Sequence, residues 1–187
     1  MRSILALLCA VLSSTAIFAS GELSGRRAPG FTLPDSTLKY YDLADFRGKI
    51  VLLEIMQSTC PHCQVLAKTL ENVKTKYAGK VVVLSIVNPP DNQTTVAKFV
   101  QENKVTSPIL FDCGQATASY FKATLQSSSM HVPHLFVIDQ QGMIRNDFAH
   151  TPDALEIFEG IGLHTLIDGL LKPAAVGTKN STTKKSF

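Results

Sequence analysis

Residues 50–63 have the sequence IVLLEIMQSTCPHC, a nearly continuous apolar run that is followed closely by two cysteines. Such a run is typical of a strand that is buried on both faces of a parallel sheet. From Pro61 to Tyr77 the apolar residues recur at spacings of three and four, which predicts an amphipathic helix that stops at Gly79. Residues 81–87 form a second apolar run. Strand, helix and strand with short joins predict a βαβ unit with a right-handed crossover.

The alternation of helix and strand continues beyond residue 88. Asp91 is expected to cap a helix that contains residues 96–100, and Thr151 is expected to cap a last helix that starts with Pro152. The other predicted elements are strands at 109–111, 135–138 and 143–145, a short helix at 116–121, and an inner face of the last helix formed by Leu163, Leu166, Ile167 and Leu170.

The composition indicates one globular domain. The chain has 187 residues, of which 45% are hydrophobic and 18% are charged, and this length supports a real core. The formal net charge is only +3, and no stretch inside the domain concentrates Lys or Arg on one face. We therefore expect no nucleic-acid partner, and we expect a monomer.

The two ends differ from the middle. Residues 1–20 combine a basic start, a short apolar stretch and small residues, which predicts a secretory signal peptide cleaved near Ala19 or Ser20. An uncleaved membrane anchor is the alternative. The domain is expected at 21–172, and the polar residues 173–187 are expected to be a disordered tail. This organisation predicts a periplasmic or secreted protein, or a membrane-anchored one if the signal is retained.

The cysteines point to redox chemistry. Cys60 and Cys63 have the Cys-x-x-Cys spacing and lie where the buried strand gives way to the helix. A helix start offers unpaired N–H groups and a positive dipole end, which favour a thiolate. We therefore predict that Cys60 attacks a disulfide and that Cys63, one turn further on, resolves the mixed disulfide. The chemistry requires no cofactor and no metal.

Two side chains near the cysteines are candidates to assist the proposed thiol–disulfide exchange. His62 lies between the cysteines, where its N–H could stabilise a thiolate, although it could equally be an ordinary exposed loop residue. Glu54 lies on the predicted buried strand, where desolvation would suit it to exchange a proton with Cys63. The alternative is that Glu54 lies at a strand edge and faces water.

Several segments resemble the thioredoxin-like redoxins of the TlpA and ResA kind, namely residues 28–33, residues 48–53 and the Cys-x-x-Cys motif. The resemblance covers roughly residues 24–172. It implies an α/β protein with the thioredoxin fold, a central mixed sheet flanked by helices, and an N-terminal extended hairpin. It also implies that a cis-proline loop, here Val132-Pro133, faces the cysteines, and that Glu54 is the buried acid.

The direction of electron flow stays open. The dipeptide Pro61-His62 between the two cysteines is similar to that of the oxidant DsbA, and so is Val132 before the loop proline. The overall similarity, in contrast, favours a reductant. Thr59 stands where the family often has Trp, and Leu66 stands where its reductive branch often has Glu. The expected partners are protein thiols or disulfides, and a membrane electron donor or acceptor.

Two other functions are alternatives. A copper chaperone could use Cys60 and Cys63 with His131 and His134, although such proteins usually space their cysteines by three residues. A thiol peroxidase would want Thr at position 57 and Pro at position 53, where this chain has Gln57 and Leu53.

The third cysteine of the domain, Cys113, is expected to be a small buried hydrophobic residue. Disulfide exchange between Cys113 and the pair is the alternative. Both interpretations place Cys113 at the end of the predicted third strand.

Overall fold

The structure is a computed structural model that describes residues 21–124 and 130–172. The predicted signal peptide and the predicted tail lie outside these residues. The strands are β1 (Arg26–Arg27), β2 (Thr32–Pro34), β3 (Tyr40–Asp42), β4 (Ile50–Met56), β5 (Val81–Val87), β6 (Ile109–Phe111), β7 (His134–Ile138) and β8 (Met143–Ala149). The α-helices are α1 (Pro61–Lys76), α2 (Gln93–Asn103), α3 (Gln115–Phe121), α4 (Leu155–Phe158) and α5 (Ile161–Leu171), and short 3-10 turns cover Leu43–Phe46 and Pro152–Ala154.

Six strands form one mixed sheet in the order β1-β8-β7-β4-β5-β6. The β4, β5 and β6 strands are parallel, whereas β7 is antiparallel to β4 and to β8. The β2 and β3 strands form a separate antiparallel hairpin between β1 and β4 in the chain. The predicted mixed sheet and N-terminal hairpin are therefore confirmed.

The central strand β4 separates two parts of the core. All seven of its residues are buried, as its apolar run predicts. Leu52 packs in the cluster under α1 and α5, whereas Leu53 packs in the cluster under α3 and the hairpin. Successive side chains of a strand point to opposite faces of the sheet. Glu54, which is two residues after Leu52, therefore lies on the α1 face.

Helix α1 begins directly after the first cysteine. Cys60 is its N-cap residue with an extended backbone (φ −79°, ψ 119°), and Pro61 occupies the first turn, where a missing N–H costs nothing. Leu66, Leu70 and Val73 are buried against the sheet, as the spacing predicts. Gly79 adopts φ +81°, a conformation that an L side chain rarely takes, and so ends the segment before β5.

The predicted cap of α2 was wrong by one residue. The side chain of Asn92 accepts hydrogen bonds from the backbone N–H groups of Thr94 and Thr95, so Asn92 is the cap. The Asp91 carboxylate instead accepts hydrogen bonds from the Ser58 backbone N–H at 3.0 Å, from the Ser58 hydroxyl, and from Thr95 Oγ1 at 2.8 Å. Asp91 therefore ties the loop after β5 to the loop before Cys60.

The last helical region is broken, where the sequence predicts one helix. Thr151 makes no side-chain cap bond, and a 3-10 turn leads into the short α4. Gly160 then adopts φ +97°, and α5 begins after it. The predicted inner face is otherwise confirmed, because Leu163 and Ile167 are buried and Leu166 and Leu170 pack against the same cluster.

Two further features differ from or extend the expectations. Cys113 is exposed rather than buried, because it follows β6 in the short link to α3. The β8 strand runs to Ala149, four residues beyond its predicted end at Arg145, because it continues to pair with β7. Within residues 21–124 and 130–172, no helix has the length and apolar character needed to cross a bilayer.

Candidate active site

The two cysteines of the motif differ sharply in exposure. Cys60 is partly exposed at the start of α1, whereas Cys63 is completely buried one turn later. Both are free thiols. The backbone N–H of Cys60 donates to the Gln57 carbonyl at 3.1 Å, and its carbonyl accepts from Gln64 N–H at 3.2 Å. Of the two cysteines of the motif, Cys60 is the one whose sulfur a large partner can reach.

A cis-proline loop lies against the exposed cysteine. The Val132-Pro133 peptide bond is cis, as the resemblance implies. Cys60 Sγ lies 3.9 Å from the Val132 carbonyl oxygen, which is within hydrogen-bonding distance for a sulfur donor. Pro133 has no N–H, so the loop next to Cys60 presents the Val132 carbonyl and no backbone donor at position 133. The structure therefore brings Cys60 and Pro133 together across the chain.

Glu54 is fully buried, which confirms the buried placement over the strand-edge alternative. Ser85 Oγ donates a hydrogen bond to Glu54 Oε2 at 3.1 Å, while Oε1 has no partner within the described chain. Desolvation raises the pKa of Glu54 to about 8, against the smaller lowering effect of the Ser85 hydrogen bond. The carboxyl group is therefore mostly protonated at neutral pH and can gain or lose a proton near it.

The buried thiol is coupled to this acid. Desolvation is the main cause that raises the pKa of Cys63 far above its ordinary range, and the negative charge of Glu54 raises it further. The Gln57 backbone hydrogen bond opposes these effects, while Cys60 adds to them. A buried thiol of this kind is hard to ionise, and Glu54 is the acidic side chain whose charge acts on it.

His62 is exposed, and its ring is held by a residue that the sequence analysis did not identify. The imidazole of His62 stacks on that of His150, and His150 in turn meets the edge of Phe158 at 5.0 Å between ring centroids. His150 lies directly after β8, far away in sequence. No local pattern marks it, so only the tertiary structure could reveal the contact.

The histidine after the cis proline points away from the cysteines. His134 lies on the α3 face of the sheet, where Nε2 is 3.3 Å from Asp147 Oδ2 and the ring packs on Phe121 and Phe136. His131, the other histidine of the copper alternative, is exposed on the loop. Over the part of the chain that the structure describes, no three His, Cys, Asp or Glu side chains are grouped to hold a metal ion.

The sequence analysis did not predict the contacts that Ser58 and Ser85 make near the site, and it placed Asp91 at a helix cap rather than beside the motif. Ser85 satisfies one oxygen of Glu54, and Asp91 fixes the backbone two residues before Cys60 through Ser58. A serine in an apolar strand, as at position 85, is the one signal that could have indicated a polar partner for the buried acid. The Ser58–Asp91 contact joins two loops and has no comparable signal.

Comparison with known proteins shows which proteins this chain is similar to. Residues 24–147 match the AhpC/TSA family. The thioredoxin-like protein YneN of Bacillus subtilis is 26% identical over 145 residues, covering 76% of this chain and 81% of the relative. The thiol-disulfide oxidoreductase ResA of Bacillus cereus is 26% identical over 146 residues, covering 75% and 81%.

Solved structures show the same fold. A thiol:disulfide interchange protein of the thioredoxin family from Chlorobium tepidum superposes with a TM-score of 0.61 at 15% identity, covering 75% of this chain and 96% of that one. At this identity the similarity concerns the fold alone. The predicted thioredoxin fold is thereby confirmed.

Proposed function

The chain belongs to the AhpC/TSA family, and from this premise we propose that it exchanges disulfides with protein thiols outside the cytoplasm through Cys60 and Cys63. Thiol–disulfide oxidoreductase is the enzyme class of the named relative ResA, and the thioredoxin fold agrees with it. Cys60 is the attacking thiol, Cys63 the resolving thiol, Glu54 the proton donor and acceptor, and Pro133 the loop residue beside the reacting sulfur.

The contrast in exposure between Cys60 and Cys63 carries this proposal. The partly exposed sulfur lies at the helix start, and the buried sulfur lies one turn behind it. A partner disulfide can reach the first sulfur, whereas the second can react only with what the first has captured. This ordering is what sequential exchange through a mixed disulfide requires.

In the reductive direction the reaction has two steps. The Cys60 thiolate attacks one sulfur of the partner disulfide, so the Cys60–partner bond forms and one partner thiolate leaves. The Cys63 thiol then gives its proton to the Glu54 carboxylate and attacks Cys60 Sγ, and the second partner thiolate leaves. The protein loses two electrons and acquires the Cys60–Cys63 disulfide, while the partner gains two electrons and its two thiolates become thiols by taking up two protons, one that Glu54 passes on and one from solvent.

The oxidative direction reverses these steps. A partner thiolate attacks Cys60 of the disulfide form, and the departing Cys63 thiolate takes its proton from protonated Glu54. A pKa of about 8 suits both directions, because Glu54 changes its protonation state close to neutral pH. His62, on the exposed side, supports the thiolate of Cys60 by its N–H.

The proposed location outside the cytoplasm rests on residues 1–20, whose composition is that of a secretory signal. A membrane electron donor or acceptor would restore the starting redox state after each turnover. N-terminal sequencing of the exported protein tests the location, and an intact Met1 on that protein would contradict cleavage.

The function is tested with bis(2-hydroxyethyl) disulfide and insulin as disulfide substrates and with reduced ribonuclease as a thiol substrate. Cys60→Ser should abolish turnover of all three, whereas Cys63→Ser should accumulate a mixed disulfide that mass spectrometry detects on Cys60. Turnover that survives Cys60→Ser would disprove the proposal. Rapid peroxide consumption without disulfide exchange would instead support the peroxidase alternative.

The reduction potential of the Cys60–Cys63 couple decides the direction. A strongly negative potential, near that of cytoplasmic thioredoxin at about −270 mV, would make the protein a reductant. A mild potential, near about −120 mV, would make it an oxidant. Equilibration with glutathione or dithiothreitol buffers measures this quantity directly.

A further inference from the structure

His134 lies directly after the cis-proline loop. It is the first residue of β7, and its backbone pairs with β4 and with β8. Its ring is buried and packs against Phe121 and Phe136, with centroid distances of 4.9 and 4.6 Å. Because His134 is bonded directly to Pro133, a change in the position of this ring acts on the end of the loop.

A buried carboxylate holds the ring of His134. His134 Nε2 lies 3.3 Å from Asp147 Oδ2, and only 7% and 6% of the two side chains are exposed. An ionised carboxylate can only accept hydrogen bonds, so this contact requires a proton on Nε2. A buried polar group that loses its partner is costly, so each of these two side chains restricts the position of the other.

The same carboxylate binds the first residues that the structure describes. The backbone N–H of Leu23 donates to Asp147 Oδ1 at 3.1 Å. The Gly21 carbonyl accepts the backbone N–H of Ser24 at 3.2 Å, so residues 21–24 form a turn, which we call the N-terminal turn. One oxygen of Asp147 therefore contacts the N-terminal turn, while the other contacts the residue after the cis-proline loop.

The backbone of Gly21 approaches this carboxylate closely. A methyl group added at Gly21 would lie 2.4 Å from both carboxylate oxygens of Asp147, well inside contact distance. The carboxylate would have to move away from the positions in which it accepts from Leu23 and His134. An open cavity of about 350 Å³ beside Gly21 and Asp147 gives it room to do so. A substitution at Gly21 therefore disturbs both hydrogen bonds without removing any buried side chain.

We propose that Asp147 and His134 are positioning residues that couple the N-terminal turn to the cis-proline loop, and so determine how well a polypeptide partner fits at Cys60. The Val132 carbonyl is 3.9 Å from Cys60 Sγ, so a polypeptide joined to Cys60 must pass the loop. A small disulfide has no peptide backbone to lie along it. This inference rests on the proposed function, and it adds a distant segment of the chain that regulates the same site.

The first experiment compares a polypeptide disulfide, insulin, with a small one, bis(2-hydroxyethyl) disulfide. The reduced protein is mixed with each, and the rate constant for insulin is divided by that for the small disulfide. Gly21→Ala should lower this ratio about two- to tenfold, which is the effect of one weakened hydrogen bond between loop and partner. Partial unfolding would lower both rate constants together, so a merely structural role would leave the ratio unchanged.

Gly30→Ala is the matched control. It makes the same change at an exposed position of the N-terminal segment, where the added carbon has no heavy atom within 4 Å. This variant should keep the wild-type ratio.

The second experiment interrupts the path at the histidine. His134→Phe keeps a ring against Phe121 and Phe136 but removes the N–H that Asp147 accepts, so it should lower the ratio by a similar factor. In a protein that already carries His134→Phe, Gly21→Ala should lower the ratio by less than about twofold more, because two changes on one path do not add.

An unchanged ratio in Gly21→Ala would overturn the coupling, and this variant keeps every buried side chain of the wild type. An equal fall of the ratio in Gly30→Ala would also overturn it. If Gly21→Ala has its full effect in the presence of His134→Phe, the turn does not act through His134 and the proposal is wrong. If the wild-type protein fails to reduce bis(2-hydroxyethyl) disulfide, the proposed function fails and the coupling with it.

Discussion

The imidazole ring of His62 stacks on that of His150, with ring centroids 4.1 Å apart and an angle of 27° between the planes. His62 lies between the two cysteines, and His150 follows the last strand of the sheet. The ring of His150 also packs edge-on against Phe158 of α4. The C-terminal part of the fold therefore sets the position of a side chain inside the redox motif.

The stacking predicts that His150 is a positioning residue for His62. Removal of the ring by His150→Ala should slow exchange at Cys60 by about two- to tenfold, because an aromatic pair contributes about 0.5–1.5 kcal/mol. His150→Phe preserves the stacked ring and should restore most of the rate. Stopped-flow measurement of exchange with bis(2-hydroxyethyl) disulfide gives the comparison. Equal rates for wild type and His150→Ala would rule out the positioning role.

Glu54→Gln should slow the resolving step by about 100-fold, since the buried thiol of Cys63 loses its proton acceptor. In the wild-type protein this step should accelerate as the pH rises through about 8, where Glu54 becomes a carboxylate. The variant should lack that inflection. Single-turnover decay of the Cys60–partner mixed disulfide, followed from pH 6 to 9, tests both statements. A variant that keeps the inflection would show that another group accepts the proton.

Stability should also depend on Glu54. Its pKa rises from an ordinary value of 4.5 to about 8 on folding, so the folded state holds a proton that the unfolded state releases between these values. The contribution is fully present below pH 4.5 and is lost as the pH rises through about 8, at about 1.4 kcal/mol for each pH unit. Over the whole range from pH 4.5 to about 8, the free energy of unfolding should fall by an amount on the order of 3–5 kcal/mol.

Urea unfolding of the reduced protein at pH 5, 6, 7 and 8 measures this dependence. Glu54→Gln carries no charge to bury, so its free energy of unfolding should vary much less over the same range. If the free energy of unfolding changes equally with pH in both proteins, Glu54 is not the group that binds a proton on folding.

Asp91 is expected to support the loop before the motif. Asp91→Ala removes the acceptor for the Ser58 N–H, the Ser58 hydroxyl and Thr95 Oγ1, and should cost about 1–3 kcal/mol of stability. It should also lower the exchange rate at Cys60, because Ser58 lies two residues before it. Asn92→Ala in the same loop removes the cap of α2 and the hydrogen bond from Asn92 Nδ2 to the Pro90 carbonyl, and should cost about 1 kcal/mol without a comparable loss of rate. Equal losses of rate in the two variants would mean that the Asp91 contact is not specific to the motif.

Much of the fold follows from local patterns. The side chains of β4 and α1 are buried in a pattern that repeats along a single strand or helix. The apolar run of β4 and the three- and four-residue spacing in α1 therefore show this burial directly in the sequence. The cap of α2 and the break at Gly160 were missed for a different reason. Asp91 and Asn92 are neighbouring polar residues that can both cap a helix, so the sequence does not distinguish them. A single glycine such as Gly160 in an apolar helical pattern does not reveal its φ angle.

The features of the candidate site also separate into those that the sequence could predict and those that it could not. The motif and the buried strand that carries Glu54 were predictable, because each is marked by residue types within a short stretch, whereas the cis-proline loop was expected only from the resemblance to the thioredoxin-like redoxins. Their catalytic roles remain predictions. The exposure of Cys113, the stacking of His150 and the partner of Asp91 were not predictable, since each depends on where distant segments meet.

The amino-acid sequence alone determined that a buried strand delivers a thiol to the start of a helix, because hydrophobic periodicity and helix-start chemistry are local properties. Only the tertiary structure decided that Cys60 is partly exposed while Cys63 is enclosed, that Glu54 is fully buried rather than at a strand edge, and that the Val132 carbonyl lies 3.9 Å from Cys60 Sγ. Burial and the contacts between distant residues exist only after the chain has packed, and they set the proton affinity and the access on which the proposed chemistry depends.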